Sequence, residues 1–505
     1  MSDDTARAAL RSDATLVAIE APAGCGKTHQ GADYARDITR ATVKERALIL
    51  THTHAACSVF AEHTRRIGSQ VEIRTIDSVI AGIASGYHVG IGIPSDPSTW
   101  VRQRKDGYAE LAVKVAALVR RHPMIPIALA RRYPIVICDE HQDSSGDQHA
   151  LAMSLHEHGA RLRIFADPMQ KIFRDDAPAG ASEPYEWDQS LAQAHVTAEL
   201  DHPHRWDRGC PQLGAWTLKA RAALKAGGKV DLRQCPPSIS ITYAENQAQR
   251  NLDYRLSSAD RTPVDAFERR QSSLLILTRH NDTARAMRSV FNRRIPLWEG
   301  HTRSALEKLI SVLSNRPPAP NAIARAVVSF MGDIGKGFSP SAFGDRFERE
   351  VRDGCSKAAS GKPATIQLLA RFIINEPDHR GVAKMLRRLA ELCEEDVAFS
   401  DIEIDCHREF WEAVRLGAFD NLDTGFAEIT HRRTYARPKP PARAISTIHK
   451  AKGLECDSVI IVPCDSSTFP DRPDTRCLLY VALTRARSEL MLVVSRNKPS
   501  PLLLL

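Results

Sequence analysis

The chain lacks closely spaced cysteine pairs, although it contains 11 cysteines among 505 residues. Zinc ribbons and iron–sulfur clusters take their ligands from Cys-x-x-Cys pairs, so the sequence disfavours both kinds of metal centre. Several cysteines lie inside apolar runs, as Cys138 does in Ile-Val-Ile-Cys-Asp. We expect these to be buried free thiols in a reducing cytosol.

Long apolar runs are missing as well. No stretch approaches the ~18 residues of a membrane-spanning helix, and the N-terminal Met-Ser-Asp-Asp-Thr does not read as a signal peptide. We therefore expect a cytoplasmic protein with no membrane partner.

Aromatic residues are few, at 6%, and the net charge of +8 is only mildly basic. A basic excess spread over this length is compatible with a polyanionic partner, but solvated surface explains it equally well. With 43% hydrophobic and 26% charged residues, the composition is that of a globular protein. The length allows roughly three to four domains.

The most informative stretch is residues 16–28, where a short apolar run leads into Ala-Pro-Ala-Gly-Cys-Gly-Lys-Thr. This pattern predicts a buried strand, a phosphate-binding loop and a helix that opens with Lys27. Loop N–H groups would surround a phosphate chain, the lysine would reach the β- and γ-phosphates, and the Thr28 hydroxyl would ligate Mg²⁺. An ordinary glycine-rich turn is the alternative, since Ala21 stands where a glycine is usual. The candidate nucleotide-binding residues are Ala23, Gly24, Cys25, Gly26, Lys27 and Thr28.

Strands and helices alternate after this loop. Residues 27–40 predict a helix, and residues 47–51 and 71–76 predict short strands with polar residues at their ends. This rhythm is typical of a parallel sheet, in which ligands gather at the carboxyl ends of the strands.

Another apolar run ends in two acids, Asp139 and Glu140. Behind a phosphate-binding loop, such a pair predicts ATP hydrolysis: Asp139 would hold Mg²⁺ through water, and Glu140 would polarise the attacking water. A nucleotide-binding scaffold without turnover is the alternative.

Further segments follow in a fixed order. They are Thr-His-Thr-His-Ala-Ala at 51–56, Thr-Ile-Asp-Ser at 75–78, Asp-Glu-His-Gln-Asp at 139–143, Ala-Asp-Pro-Met-Gln-Lys-Ile-Phe at 166–173, Leu-Asp-His-Pro-His-Arg at 200–205, Ile-Ser-Thr-Ile-His-Lys-Ala-Lys-Gly-Leu-Glu at 445–455 and Leu-Tyr-Val-Ala-Leu-Thr-Arg-Ala at 479–486. Together with the phosphate-binding loop as motif I, they resemble motifs Ia, Ib, II, III, IV, V and VI of the UvrD/Rep-like superfamily 1 DNA helicases.

The resemblance implies an α/β fold of two RecA-like P-loop NTPase motor domains with mainly helical inserted subdomains and ATP in the cleft between the motors. The first motor domain would comprise residues 1–84 and 133–200, with a small insertion at 85–132. The second would comprise residues 201–282 and 443–505, with a helical insertion at 283–442. Apolar spacing around 366–373 and 385–392 independently predicts helices in the larger insertion.

The resemblance also implies roles for individual residues, with ATP and Mg²⁺ as cofactors. Glu140 and Gln170 would act in hydrolysis from the first motor domain, and Thr28 and Asp139 would hold the metal. Arg205 and Arg485 would face the phosphoryl charge from the second motor domain, and Glu455 would face the nucleotide sugar.

DNA contacts are implied on the opposite rim, where hydroxyl and imidazole groups hydrogen-bond phosphates without reading sequence. The implied residues are Thr51, His52, Thr53, His54, Thr75, Asp77, Ser78, Thr447 and His449. Capping of strand ends is the alternative role for His52 and His54.

Two departures from the family pattern stand out. No glutamine precedes the first strand, so the usual adenine-recognising motif is not found. Residues 174–177 read Arg-Asp-Asp-Ala where the processive enzymes carry an aromatic residue and an arginine that touch DNA bases. Phe173 and Trp187 are the candidate substitutes for base stacking.

The resemblance thus implies an ATP-dependent helicase or translocase on single-stranded or tailed DNA, with 3′→5′ polarity. The chain ends soon after motif VI, so we expect a partner such as a nuclease subunit to supply any second activity. Compact proteins of this kind include the helicase subunit of the Gabija anti-phage system, while a general repair role stays open. A DNA-gated ATPase switch that signals without unwinding is the alternative, favoured by Asp175 and Asp176.

Overall fold

Apolar runs that end in polar residues form the strands of two parallel sheets. The computed structural model describes residues 2–41, 46–65, 70–102, 104, 106–173, 178–245, 247–250, 253–298, 303–314, 319–338, 343–435 and 440–505. The chain folds into two compact units, Met1–Arg294 with Ala442–Leu505, and Ile295–Pro441.

The first sheet has six parallel strands in the order β3-β2-β4-β5-β1-β6. These strands are β1 (Leu16–Glu20), β2 (Ala47–Thr51), β3 (Val71–Thr75), β4 (Ile135–Cys138), β5 (Arg161–Ala166) and β6 (Val196–Glu199). Because β1 lies between β5 and β6, the phosphate-binding loop that follows it opens beside the segments that follow those two strands.

Helices cover this sheet and continue beyond it. They are α1 (Ser2–Arg11), α2 (Lys27–Ala41), α3 (His54–His63), α4 (Ile76–Gly86), α5 (Pro97–Arg102), α6 (Gly107–Arg121), α7 (Met124–Arg132), α8 (Gly146–Glu157), α9 (Trp187–Gln193) and α10 (Pro211–Lys225). Within the predicted small insertion, α6 packs against α4 and α8 and shares one apolar core with them.

The second sheet has five parallel strands in the order β14-β11-β15-β16-β8. Its part of the chain contains β7 (Val230–Asp231), β8 (Ile239–Tyr243), β9 (Gln247–Arg250), β10 (Asp253–Arg255), α11 (Ser258–Arg270), β11 (Leu274–Thr278), α12 (Asn281–Val290), β14 (Arg443–Thr447), β15 (Cys456–Cys464), α20 (Pro473–Leu483), β16 (Ala486–Val494) and β17 (Leu503–Leu504). The short strands pair as β9 with β10 and as β7 with β17.

The second compact unit is mainly helical. Its elements are α13 (Ser304–Leu313), α14 (Pro320–Ile334), β12 (Gly335–Lys336), α15 (Asp345–Arg352), α16 (Lys362–Asn375), α17 (His379–Glu395), β13 (Glu403–Ile404), α18 (His407–Leu416) and α19 (Leu422–Tyr435). The apolar stripes predicted for α16 and α17 form part of its core, as expected. The unit begins at Ile295 rather than at 283, because α12 packs against β10, β11 and β14.

The predicted α/β class is confirmed, and the predicted strand at 47–51 and helix at 27–40 agree with β2 and α2 to within one residue. The predicted free thiol within the apolar run is also confirmed, since Cys138 is buried and forms no disulfide. Among the described residues, no helix combines the length and the apolar character needed to cross a membrane.

A buried arginine fixes the start of the chain to the first sheet. Arg163 on β5 has no exposed surface, and its guanidinium donates to the carbonyl oxygens of Leu10, Ser12 and Ala14 at 2.8–3.1 Å. It also lies over the ring of Tyr34 at 5.2 Å. One side chain thus donates to a carbonyl group in the last turn of α1 and to two in the segment that follows it.

Replacing Arg163 by leucine should lower the free energy of unfolding by about 2–4 kcal/mol, because buried carbonyl groups lose their donors. Chemical denaturation followed by far-UV circular dichroism measures this change. Arg120 is an exposed arginine on α6, and Arg120→Leu is the matched control. Equal effects of the two substitutions would contradict the assigned role of Arg163.

Candidate active site

The loop between β1 and α2 has the conformation of a phosphate-binding loop. Gly24 and Gly26 have φ of +77° and +81°, a region that side-chain-bearing residues rarely adopt. Space is also limiting at Gly24, since a Cβ there would lie 2.7 Å from the ring of Trp206. Cys25 is buried, and burial raises the pKa of its thiol to about 12, which makes the thiol unreactive.

Lys27 opens α2 and points at the acidic pair. Its Nζ lies 2.5 Å from Glu140 Oε1, and its side chain is almost fully buried. Burial alone would lower the pKa of Lys27, but the charges of Glu140 and Asp139 raise it above its ordinary value. Burial acts against the charge of Glu140 too, yet Lys27 and Lys452 lower its pKa to about 2. Both members of the Lys27–Glu140 pair are therefore charged at neutral pH.

The residues around Asp139 fit a divalent cation. Asp139 Oδ1 is buried and has no hydrogen-bond partner among the described residues, and the same holds for Gln30 Oε1 on α2. Burial raises the pKa of Asp139 to about 7, partly offset by Lys27. Unsatisfied oxygen atoms and a carboxylate are the ligands that Mg²⁺ prefers, and a bound cation would stabilise the ionised carboxylate. Thr28, the other predicted ligand, lies partly exposed in the first turn of α2.

Gln170 is held against the same strand ends. Its Nε2 donates to Asp167 Oδ2 at 2.9 Å, and the backbone N–H of Asp167 donates to Gln142 Oε1 at 3.0 Å. Gln142 in turn donates to Glu140. A chain of amide and carboxylate groups thus connects the predicted Gln170 to the predicted general base.

Arg205 was expected from the second motor domain, but it lies in the segment that follows β6 of the first sheet, and it links the phosphate-binding loop to the second sheet. Its backbone N–H donates to Gly24 O at 3.1 Å, and its guanidinium contacts Glu455 Oε1 at 2.5 Å and Thr484 O at 2.7 Å. The backbone N–H of Ala23 donates to the Tyr480 hydroxyl at 2.9 Å. Glu455, predicted to face the nucleotide sugar, is here paired with an arginine.

Arg485 does not point into the loop. Its guanidinium donates to Val481 O, Thr484 Oγ1 and Leu454 O at 2.7–3.0 Å, all within the second sheet and its helix. Burial and the charge of Arg205 lower the pKa of Arg485 to about 10. To contact phosphate oxygens, this side chain would have to exchange its present hydrogen-bond partners, and its catalytic role stays a prediction.

Sequence reasoning assigned no role to Lys452, although it lies within the motif V segment. Its Nζ donates to both oxygens of Asp143 at 2.7 and 2.6 Å and to Gln170 O at 2.6 Å. Both side chains of this pair are nearly buried. Lys452 is thus a direct link between the second sheet and the segments that carry Glu140 and Gln170.

Sequence reasoning also missed Arg221, on α10. Its guanidinium contacts Asp167 Oδ1 at 2.9 Å and Glu20 Oε1 at 2.5 Å, so it joins the residues that follow β5 and end β1. Lys225, one turn later, also contacts Glu20. Helix α10 packs against α20, so this cluster is a further connection between the two sheets. Nothing local in the sequence marks it, since Arg221 lies in an ordinary helical stretch.

The implied DNA-contact residues mostly support the fold in this structure. Thr53 Oγ1 accepts from the N–H of Ala56 and caps α3, and Thr75 Oγ1 accepts from the N–H of Ser78 and caps α4. Such hydrogen bonds stabilise the first turn of a helix. Thr51 is buried with its hydroxyl on Thr53 O.

Most of the remaining implied residues also make contacts within the protein. Ser78 Oγ donates to Thr75 O at 2.7 Å, and Thr447 is buried and accepts weakly from Lys450 N–H at 3.4 Å. The ring of His449 lies 6.2 Å from that of Phe173. The side chain of His54 lies outside the described part of the structure.

Of the two aromatic candidates for base stacking, only Phe173 is accessible. Phe173 is 52% exposed, whereas Trp187 is 5% exposed and its Nε1 donates to Glu20 Oε2 at 3.0 Å. The prediction for Trp187 was therefore wrong, because its ring packs into the core of the first sheet. The acidic segment 174–177, with Asp175 and Asp176, lies outside the described residues.

A phosphate-binding loop after β1, an acidic pair after β4 and a second parallel sheet joined to them through Lys452 and Arg205 are typical of a P-loop motor ATPase. Two family models match this chain: the UvrD/REP helicase N-terminal domain over residues 97–175 and the UvrD-like helicase C-terminal domain over residues 443–493. No curated protein matches the sequence.

These two matches support a UvrD/Rep-like superfamily 1 helicase, and UvrD-like helicase domains imply two RecA-like motor domains in this α/β fold. The chain is an ATP-dependent DNA helicase and thus a hydrolase. The predicted family and enzyme class are confirmed, while the individual site residues stay predictions.

Replacing Glu140 by glutamine should lower kcat for ATP hydrolysis by at least ~100-fold, because the amide cannot take a proton from water. Phosphate release measures turnover, and binding of a fluorescent ATP analogue shows whether the site remains intact. Glu157→Gln, at an exposed glutamate on α8, should leave turnover unchanged. Wild-type turnover in Glu140→Gln would overturn the assignment of the base.

Replacing Lys452 by methionine should destabilise the protein by about 3 kcal/mol, because Asp143 then keeps a buried charge without its partner. The double variant Lys452→Met/Asp143→Asn should recover much of this loss. Denaturation of the wild type, both single variants and the double variant gives the coupling energy. Additive effects would show that the pair makes no specific contribution.

Proposed function

We propose that this helicase moves along single-stranded DNA in the 3′→5′ direction by coupling ATP hydrolysis to movement between its two parallel sheets. The observation that supports this proposal most directly is Lys452, which joins the second sheet to Asp143 and Gln170 O beside the acidic pair. A change of charge at the phosphate site therefore acts on a contact that spans both sheets.

In this proposal the N–H groups of residues 23–28 and the ammonium of Lys27 bind the phosphates of ATP. Thr28 and Asp139 hold Mg²⁺, which supplies neutralisation of charge on the phosphate oxygens. Glu140 orients and deprotonates the attacking water, with Gln170 beside it.

Arg205, which follows β6, and Arg485, which lies between α20 and β16 of the second sheet, would complete the site. Arg205 would exchange Glu455 for phosphate oxygens, because both are anionic acceptors for the same guanidinium group. Glu455, once released, would be available to the nucleotide sugar. Hydrolysis would reverse this exchange, and that reversal couples the chemistry to the separation of the sheets.

A DNA-gated ATPase switch is the second candidate. It is favoured by the burial of Trp187, which leaves Phe173 as the accessible aromatic among the two residues considered for base stacking. Strand displacement requires that each base is held firmly, and weak stacking would reduce the binding energy for each base.

We propose further that the helicase acts within a nuclease-containing defence or repair complex. The support is the resemblance to compact helicases that pair with a nuclease. Stoichiometric co-elution with a co-expressed candidate nuclease, and a change in ATPase rate on mixing, would support this proposal. Independent elution with unchanged rates would contradict it.

Addition of single-stranded DNA should raise the ATPase rate, and this stimulation should fall as salt rises, because phosphate contacts release counterions. Duplexes with a 3′ tail should be unwound and those with a 5′ tail should not. Phosphate release measures the ATPase rate, and strand displacement of fluorescent duplexes measures the unwinding of both substrates.

The outcomes distinguish the candidates. Stimulated hydrolysis without displacement would favour the switch, and displacement from 5′ tails would overturn the proposed polarity. Hydrolysis that DNA does not change would count against both.

A further inference from the structure

Four side chains form a hydrogen-bonded series at the carboxyl end of the first sheet, and we name it the histidine chain. His52 Nε2 lies 3.0 Å from Ser144 Oγ, which lies 3.0 Å from His141 Nδ1. His141 Nε2 lies 3.0 Å from His149 Nδ1. No local pattern in the sequence indicates this series, because His52 is far from the other three along the chain.

The inner part of the histidine chain is rigidly packed. His141 and Ser144 are almost fully buried, and the ring of His149 stacks on Tyr185 with centroids 4.3 Å apart. The Tyr185 hydroxyl is itself bonded to Ser190 Oγ at 2.8 Å. Burial lowers the pKa of His149 to about 4, so this ring is neutral at pH 7. A neutral imidazole has one donor and one acceptor nitrogen, which suits a hydrogen-bonded series.

The two ends of the histidine chain lie at different functional segments. His52, partly exposed, lies in the turn between β2 and α3, among the implied DNA-contact residues. His141 directly follows Glu140, whose φ of +52° is unusual for a residue with a side chain. The turn is closed by hydrogen bonds from Asp143 N–H to Glu140 O and from Ser144 N–H to His141 O, both at 3.0 Å.

A backbone conformation of this kind persists only where its surroundings hold it. Side chains that fix His141 and Ser144 therefore also fix the turn that orients Glu140. The ion pair between Lys27 and Glu140 holds the carboxylate end of the same residue. Glu140 is thus held from the phosphate-binding loop on one side and from the histidine chain on the other.

We propose that Ser144 and His141 are positioning residues that couple DNA contact at the turn after β2 to the orientation of Glu140. This inference rests on the proposed stimulation of hydrolysis by single-stranded DNA. A DNA phosphate accepts hydrogen bonds only, so it would accept from His52 Nδ1–H.

That contact determines which atom donates and which accepts in every hydrogen bond of the histidine chain. The other nitrogen of His52 then accepts from the Ser144 hydroxyl, Ser144 Oγ accepts from His141 Nδ1–H, and His141 Nε2 accepts from His149 Nδ1–H. Every donor in the series faces an acceptor in this arrangement, and each ring keeps one proton. DNA thereby favours one hydrogen-bonded arrangement of the turn beside Glu140.

The experiment compares Ser144→Ala with Ser145→Ala in the full-length protein. Ser144→Ala removes the hydroxyl that joins two histidines and changes little volume. Ser145 is in the same turn, but it caps α8 through Gln148 and takes no part in the histidine chain. Ser145→Ala is thus a matched control for local destabilisation, at a cost of about 1 kcal/mol. ATPase rates without DNA and with saturating single-stranded DNA, DNA affinity by fluorescence anisotropy, and thermal stability are measured for each protein.

Ser144→Ala should lower the DNA stimulation of kcat, which is the ratio of the rate with saturating DNA to the rate without DNA, by about tenfold, while the affinity for DNA stays within about twofold of the wild type. Ser145→Ala should keep the full stimulation. His149→Phe keeps the stack on Tyr185 but removes the last acceptor or donor, and it should lower the stimulation in the same way.

Three outcomes would overturn the inference. Full stimulation in both Ser144→Ala and His149→Phe would show that the histidine chain does not transmit DNA contact. Equal losses in Ser144→Ala and Ser145→Ala would assign the effect to local stability alone. A wild-type protein whose hydrolysis DNA does not stimulate would overturn the proposed function and the coupling together, which distinguishes it from the first two results.

Discussion

The structure depends on compensating the negative charge that gathers at the carboxyl end of the first sheet. Parallel strands bring their acidic ends to one edge, and burial there makes each uncompensated carboxylate costly. Lys27, in the phosphate-binding loop, forms an ion pair with Glu140. Lys452, from the second sheet, also stabilises the negative charge of Glu140. Arg221, on α10, forms an ion pair with Asp167. The cations come from three separate elements, so charge compensation at this edge also links the two sheets.

Local signals made much of this predictable. The apolar runs of β1 and β2, each followed by polar or glycine-containing residues, predicted these two strands. The position of Lys27 after the loop predicted the start of α2. Long-range partners left no such signal. Lys452 and Arg221 are ordinary basic residues until the fold brings Asp143 and Glu20 beside them, and the ring of Trp187 is as compatible with a surface role as with the core that it occupies.

The helicase motifs serve the fold as well as the chemistry. Thr53 and Thr75 cap α3 and α4 with the hydroxyl groups that the resemblance assigns to DNA. A cap hydroxyl that accepts from the backbone still has its own proton to donate, so capping and phosphate contact are compatible at one side chain. Pattern matching alone does not separate these roles, since the requirement for a small hydroxyl residue is the same in both.

The close approach of Trp206 to Gly24 gives the protein a built-in optical reporter. The indole lies against the phosphate-binding loop of the first sheet, while its Nε1 donates to Ala486 O at the start of β16. Arg205 lies over the same ring at 5.3 Å. Any separation of the two sheets changes the polarity and the cationic quenching that this indole experiences. In a protein whose five other tryptophans are replaced, the fluorescence of Trp206 would therefore report a separation of the two sheets without any added label.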